Sequence, residues 1–203
     1  MKKRMILALV LVVLLIPSLL FAKAISLSLG GIAMYSVNAG SVTDDTEAFK
    51  DINNYTFGAD VRLKLLMLDI TAMGLYSGSS TDGSGMPEIS GIVTAGLAMD
   101  LLDTIRVGVG LGPRLRAENN DGTWQVKTQD GTVVDGASFQ NVVMNAPMTY
   151  RAMVDFMLGG LSVGASYMVD TSYTFNDYTN VQNLIDVDWD SGKFGVSLLL
   201  NLQ

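Results

Sequence analysis

Apolar and polar side chains alternate with a period of two along much of this sequence. In 55–65 the odd positions are aromatic or aliphatic, and the even positions are Thr, Gly, Asp, Arg and Lys. Successive side chains of a β-strand point to opposite faces, so the pattern predicts strands. Eight segments show it: 25–37, 55–65, 70–77, 93–101, 105–116, 148–158, 161–169 and 194–202. The faces of 70–77 cannot be assigned from the pattern.

The connections between these segments alternate between short and long. Three short turns are predicted near Leu68-Asp69, Leu102-Asp103 and Gly159-Gly160, and four long polar connections cover about 38–54, 78–88, 117–147 and 171–192. A barrel that crosses a bacterial outer membrane has short turns at its periplasmic end and long loops outside. The order predicts an all-β fold: a single up-and-down antiparallel transmembrane β-barrel of eight strands.

The polar row of the predicted strands is rich in small residues. Its members include Gly30, Gly58, Gly96, Gly108, Gly110, Gly112, Gly164 and Gly195, with Ser26, Ser28, Ser162, Ser166 and Ser197. Eight strands enclose room for little more than side chains, which suits small residues inside and places the apolar row against lipid. The alternative is a secreted soluble ligand-binding barrel with the apolar row inward.

The first residues differ from the rest of the chain. Lys2, Lys3 and Arg4 precede an apolar run over 5–21, and Ala22-Lys23-Ala24 follows as a small-x-small cleavage site. This is the layout of a secretory signal peptide, and an uncleaved membrane anchor is the alternative. The predicted division is a signal peptide over 1–24 and an outer-membrane barrel over 25–203.

Charge and missing residue types exclude several functions. Without residues 1–24 the chain keeps nine basic and 20 acidic residues, a net charge of −11, so nucleic acid is not an expected partner. The sequence has no cysteine and no histidine. This excludes thiolate sites and histidine-dependent catalysis, and a zinc site is not expected. We therefore expect no enzymatic activity, no cofactor and no metal site.

Charged residues in the inward row form the main candidate site. They are Asp60, Arg62, Lys64, Asp100, Arg106, Arg114, Arg116, Arg151, Asp155, Asp170 and Lys193. Buried charges need partners, so neighbouring strands predict Asp170 with Lys193, and Arg106 with Asp100 or Asp155. Arg114, Arg116 and Arg151 lie at a similar height near the outer mouth and have no evident lumen acid. They are interpreted as hydrated or paired with Glu118 and Asp121, with a site for an anionic group at the mouth as the alternative. A structural network that fills the barrel is the favoured interpretation, and a narrow polar pathway is the alternative.

Methionines and aliphatic residues also fall on the inward row. They are Ile32, Met34, Met153, Met157, Met168 and Leu199, with Met73 and Leu75 as further candidates. Methionine fills irregular gaps, so they are interpreted as packing, with a hydrophobic channel as the alternative.

Aromatic residues cluster at the predicted outer ends of the strands. The predicted girdle consists of Tyr35, Tyr55, Phe57, Tyr76, Tyr150 and Phe194. Aromatic rings settle at membrane interfaces because they tolerate both lipid and water.

Fourteen of the 20 acids lie in the long connections, including Asp44, Asp45, Glu47 and Asp51. The run Asp186-x-Asp188-x-Asp190 lacks the glycine and glutamate spacing of a calcium loop, so a solvated acidic surface is favoured, with divalent cations bridging it to lipid phosphates as a further candidate. Asp121-Gly122 and Asp130-Gly131 predict a hairpin in the third loop.

The signal peptide, the alternating strands and the loop asymmetry resemble the small outer-membrane barrels of the OmpA, OmpX and OmpW type. The resemblance implies location in the bacterial outer membrane, contact with its lipid and assembly by its insertion machinery. The function expected is a structural or surface-interaction role through acidic extracellular loops. The alternative is a narrow, porin-like channel or transporter for small solutes or hydrophobic molecules.

Overall fold

The alternating segments pair edge to edge in the structure, a computed structural model that describes residues 25–41, 48–78, 86–101, 103–127, 133 and 139–202. The strands are β1 (Ile25–Tyr35), β2 (Tyr55–Leu65), β3 (Leu68–Ser77), β4 (Glu88–Leu101), β5 (Ile105–Asn120), β6 (Thr123–Lys127), β7 (Met148–Leu158), β8 (Leu161–Asp170) and β9 (Lys193–Leu202). The helices are α1 (Phe139–Met144) and α2 (Gln182–Ile185), and 3₁₀ turns lie at Ala39–Ser41, Ala48–Lys50, Ile52–Asn54, Phe175–Asp177 and Trp189–Ser191.

Eight of these strands close into a barrel. Neighbours along the chain pair antiparallel, β5 pairs with β7, and β1 pairs with β9 from Leu27↔Leu202 to Met34↔Gly195. Closure leaves no strand edge in the wall, which is the condition for a sheet to lie in lipid. The predicted all-β, up-and-down barrel of eight strands is confirmed.

The strand limits differ from the predicted ones in several places, and β1 ends at Tyr35 rather than at position 37. The first turn is Leu66-Met67, where Leu66 takes a φ of 57°, so Leu68 and Asp69 already belong to β3. Strands β4 and β5 continue pairing outward as far as Glu88↔Glu118. They are therefore longer than the pattern predicted, because polar residues such as Glu88 and Glu118 continue the inward rows where loops were expected.

Strand β6 lies outside the wall, where it pairs with β5 and forms one further bridge from Lys127 to Val133. Asp121 and Gly122, both with positive φ (50° and 86°), form the two-residue turn between them. Positive φ at both turn residues matches the twist of the flanking strands. The hairpin predicted at Asp121-Gly122 is confirmed, whereas Asp130-Gly131 lies outside the described residues.

The two faces of the wall have opposite character. On β2, Asp60 and Lys64 are 0% exposed, whereas Phe57 is 47% and Val61 42% exposed. Burying charges and exposing apolar side chains would be unstable in water, and it is stable where lipid surrounds the wall. The apolar-inside alternative, a soluble barrel, is therefore wrong.

The rest of the described chain forms turns and two short helices. Among the described residues, no helix is long and apolar enough to cross a bilayer. The predicted signal peptide (1–24), Asp44, Asp45, Glu47 and the predicted turn residue Leu102 fall outside the described residues.

Candidate functional site: the lumen and its outer mouth

Arg62 of β2 lies at the centre of the lumen and is 1% exposed. Its Nε and Nη2 donate to Asp60 Oδ2 at 2.9 and 2.6 Å, and its Nη1 donates to Asp155 at 2.6 Å. Nη2 also donates to Ser197 Oγ at 3.0 Å. Asp155 belongs to β7 and Ser197 to β9. One guanidinium therefore links three strands across the lumen.

Arg151 of β7 adds a second guanidinium to this central layer. Its Nη2 lies 3.3 Å from Asp60 Oδ2, and its Nη1 donates to Thr71 Oγ1 of β3 at 2.7 Å. The sequence placed Arg151 near the mouth without a lumen acid, which is wrong. The side chain reaches the carboxylate of Asp60 on β2, which is not a neighbouring strand.

A second charged layer lies nearer the periplasmic end. Asp100 of β4 accepts from Lys64 Nζ and from Arg106 Nε, each at 2.7 Å, and Arg106 Nη2 donates to Ser26 Oγ at 3.2 Å. The sequence offered Asp100 or Asp155 as the partner of Arg106, and the structure selects Asp100. Asp100 and Arg106 also line a small cavity of about 80 Å³ at this end.

A buried apolar layer lies between the central charges and the outer mouth. Its members are Ile32, Met34, Met73, Leu75, Ile92 and Met168. Met73 and Leu75 face the lumen, which settles the faces of β3 that the sequence left open. Met34, Met73 and Met168 of the predicted methionines are buried in this layer, where a flexible thioether side chain suits an irregular gap.

Charges return at the outer mouth, above the apolar layer. Arg114 lies 3.1 Å from Asp170 and 3.6 Å from Glu88, and Arg116 also pairs with Asp170. Thr149 Oγ1 donates to Asp170 Oδ1 at 2.6 Å. A cavity of about 210 Å³ opens here, with Arg114, Arg116, Asp170 and Lys193 in its lining.

The predicted pair of Asp170 with Lys193 is not formed. Within the described part of the chain, no carboxylate lies within 4 Å of the Lys193 ammonium. Lys193 is in register with Met168, two residues before Asp170 on the same row. The arginines of β5 reach Asp170 instead, because their longer side chains cross the mouth.

Sequence reasoning missed several polar partners in the lumen. Asp69 accepts from Thr71 at 3.1 Å and is 6% exposed, and Glu88 near Arg114 is 3% exposed. Extending the alternation of 70–77 back by one residue would have found Asp69. Glu88 has no such signal, because it precedes the region where β4 alternates clearly.

The predicted girdle divides into exposed and covered residues. Phe57, Tyr76 and Phe194 are 47%, 52% and 50% exposed on the outer wall. Tyr35, by contrast, is 6% exposed, because Phe49 stacks on it at 4.7 Å and Tyr55 packs at 5.3 Å.

Tyr150 is half-buried, and Trp189 lies 6.1 Å from its ring. Phe49, Tyr167 and Trp189 are aromatic neighbours of the girdle that sequence reasoning did not place.

Some carboxylates of the acidic loops cap short turns. Asp188 accepts from the backbone of Asp190 at 3.1 Å and begins the 3₁₀ turn Trp189–Ser191, and Asp51 caps the turn at Ile52–Asn54. Among the described residues, no group of acids is arranged to hold a metal ion. The run from Asp186 to Asp190 is thus a capped turn that lies on the protein surface.

The apolar outer wall and the lumen of paired charges together identify the fold. The fold is that of an eight-stranded outer-membrane barrel. The exposed Phe57, Tyr76 and Phe194 lie near the strand ends that carry the long loops, which is where an outer aromatic belt lies in such barrels.

Comparison with known proteins gives fold-level similarity only. No protein-family model and no curated protein matches the sequence. Three solved structures align over most of the chain: the Yersinia pestis outer membrane protein Ail (TM-score 0.47, 14% identity, 89% of this chain and 100% of Ail), a de novo designed transmembrane β-barrel (0.46, 11%, 89% and 98%) and Neisserial surface protein A (0.44, 8%, 88% and 96%). The fold assignment rests on the strand pairing and the two faces of the wall.

Proposed function

We propose that this outer-membrane barrel is closed to solutes and has a structural or surface-interaction role through the loops at its outer end. The observation that supports the proposal is the filled lumen. From the periplasmic end outward, the lumen contains the charged layer around Asp100, then the central layer with the two guanidiniums, and then the apolar layer.

Each of the two end cavities is bounded on its inner side by one of these layers. The outer cavity has Met34 and Met168 in its lining, which belong to the apolar layer, and the inner cavity has Asp100 and Arg106, which belong to the periplasmic charged layer. Between them lies the network around Arg62. A solute would have to separate buried ion pairs to pass, and desolvating such charges is costly.

The outer end offers surface for partners. Asp121, Asp186, Asp188 and Asp190 are exposed there, and the β5–β6 hairpin extends beyond the wall. An acidic surface suits basic partners or divalent cations that bridge to lipid phosphates. Loops held by a rigid scaffold commonly carry binding functions.

The test is conductance of residues 25–203 refolded into a planar lipid bilayer. We expect no stepwise current, and no swelling of proteoliposomes in small sugars. The double variant Asp60→Ala/Arg62→Ala, checked for folding by heat-dependent gel migration, is the matched control, because it removes the centre of the network and we expect it to leak. Stepwise conductance of the unchanged barrel would instead establish a channel.

A further inference from the structure

The segment between β8 and β9 folds outward over the barrel wall. Tyr150 Oη donates to Leu184 O at 3.1 Å, and Tyr167 Oη donates to Trp189 O. Both tyrosines belong to the lipid-facing rows of their strands, in which Val154 and Val163 are 39% exposed. The hydrogen bonds therefore hold α2 and the following 3₁₀ turn against the outside of β7 and β8.

Burial of the wall beneath this segment supports the same placement. Val169 lies on the outward row of β8 and yet is only 2% exposed, so protein rather than lipid covers it. A Cβ added at Gly192 would lie 2.1 Å from the Tyr167 ring, so the chain passes in close contact with that side chain. The segment takes the place of lipid at the outer ends of these strands.

The segment itself carries apolar side chains that the described residues leave more than half exposed. Tyr178, Val181, Ile185 and Trp189 are 70%, 53%, 70% and 56% exposed. A group of large apolar side chains this exposed is unfavourable in water and marks an interaction surface. We call the stretch 178–189 the outer shelf.

The position of the outer shelf identifies its partner. Trp189 lies 6.1 Å from Tyr150, and Tyr167 lies 5.0 Å from Phe194, which is half exposed on the lipid-facing row of β9. The shelf is thus continuous with the surface that lipid already covers. Tryptophan and tyrosine favour the boundary between headgroups and acyl chains.

We propose that the outer shelf is a membrane anchor whose Val181, Ile185 and Trp189 side chains insert into the outer-leaflet interface beside β7 and β8. Insertion is shallow, because Asp186, Asp188 and Asp190 alternate with the apolar residues and carboxylates do not enter hydrocarbon. The anchor would extend the girdle beyond the wall. It does not depend on whether the lumen conducts, so the two proposals can fail separately.

The chain supplies a matched pair of probes, because it contains two tryptophans. Trp189 lies on the shelf, and Trp124 lies on β6, which pairs with the outer end of β5 outside the wall. The variants Trp124→Phe and Trp189→Phe each leave one of them. Both retain every wall strand, and heat-dependent gel migration checks that each is folded.

The experiment measures tryptophan emission and quenching in vesicles of phosphatidylcholine and phosphatidylglycerol. For Trp189 we expect a blue-shifted maximum, strong loss of fluorescence with lipids brominated near the headgroup end of the acyl chain, and weak quenching by iodide. For Trp124 we expect the reverse. Ile185→Ser in the Trp124→Phe background should shift the Trp189 emission to the red.

Two results would overturn the proposal. In the first, iodide quenches Trp189 as strongly as Trp124 and brominated lipid leaves the Trp189 fluorescence unchanged, which would show that the shelf lies in water. Trp189 protected from iodide but unaffected by brominated lipid would show that a protein surface, such as a second copy of the chain, covers the shelf.

Discussion

The two faces of β2 make opposite kinds of contact, although their residues alternate along one strand. On the lumen side, Asp60 and Arg62 are almost completely buried and make their contacts through charge and hydrogen bonds. On the lipid side, Val61 and Leu63 present apolar surface outward. The lumen is therefore specified by geometry and pairing, whereas the lipid face needs only apolar character. Substitutions should be tolerated very differently on the two faces.

The largest expected difference follows removal of the Asp60 carboxylate. Asp60→Ala leaves Arg151 without an acid and takes two hydrogen bonds from Arg62. Breaking a buried pair by removing one partner costs about 3–5 kcal/mol. Urea unfolding in lipid vesicles should show this loss, while Val61→Ala on the other face should lose much less. Equal effects of the two substitutions would contradict the distinction between the faces.

A smaller difference is expected between two glycines on adjoining strands. A Cβ at Gly58, on the lumen side, would lie 1.9 Å from the carbonyl oxygen of Gly74, whereas a Cβ at Gly74 meets nothing within 4 Å. Gly58→Ala must move backbone and should destabilise the barrel by about 1–3 kcal/mol. Gly74→Ala should stay within about 0.5 kcal/mol of the unchanged protein in the same unfolding experiment. A Gly58→Ala barrel of unchanged stability would show that β2 and β3 separate easily.

The smallest effect is expected at the outer mouth, where the lumen meets water. Arg116 is 20% and Asp170 18% exposed by side chain, and Asp170 keeps Arg114 and Thr149 when Arg116 is removed. Arg116→Gln should cost less than Asp60→Ala and Gly58→Ala, because water reaches part of this pair and Asp170 keeps a second arginine. The cost should shrink further at high salt, which screens accessible charges. A salt-independent loss as large as that of Asp60→Ala would place the mouth with the buried network.

These differences also explain what the filled lumen contributes. Ion pairs in the interior give little net stability, since the cost of desolvation offsets their attraction. What they supply here is a fixed cross-section, because Arg62 and Arg151 hold β2, β3, β7 and β9 at set distances. The outer shelf is the opposite case. It is held by two tyrosine hydroxyls, and its outward side chains need only an apolar environment.

The sequence by itself determined the eight wall strands, the faces of all of them except β3, and the order of turns and loops. The period of two can be read from the neighbouring residues of each segment. Glycines and serines on one row indicated the narrow lumen. The pairing of Asp100 with Arg106 was also within reach, because these residues are opposite each other on neighbouring strands. The hairpin at Asp121-Gly122 followed from two residues alone.

Only the tertiary structure decided the partners across the lumen and the path of the loops. Arg62 joins Asp155 and Arg114 joins Asp170, although neither pair lies on neighbouring strands. In a barrel this narrow a long side chain reaches the opposite wall as easily as the next strand, so register along neighbours does not predict the pair. The outer shelf likewise depends on Tyr150 and Tyr167, which are distant in sequence from the carbonyls they bind. Local pattern fixes which way a side chain points, and closure of the barrel fixes what it meets there.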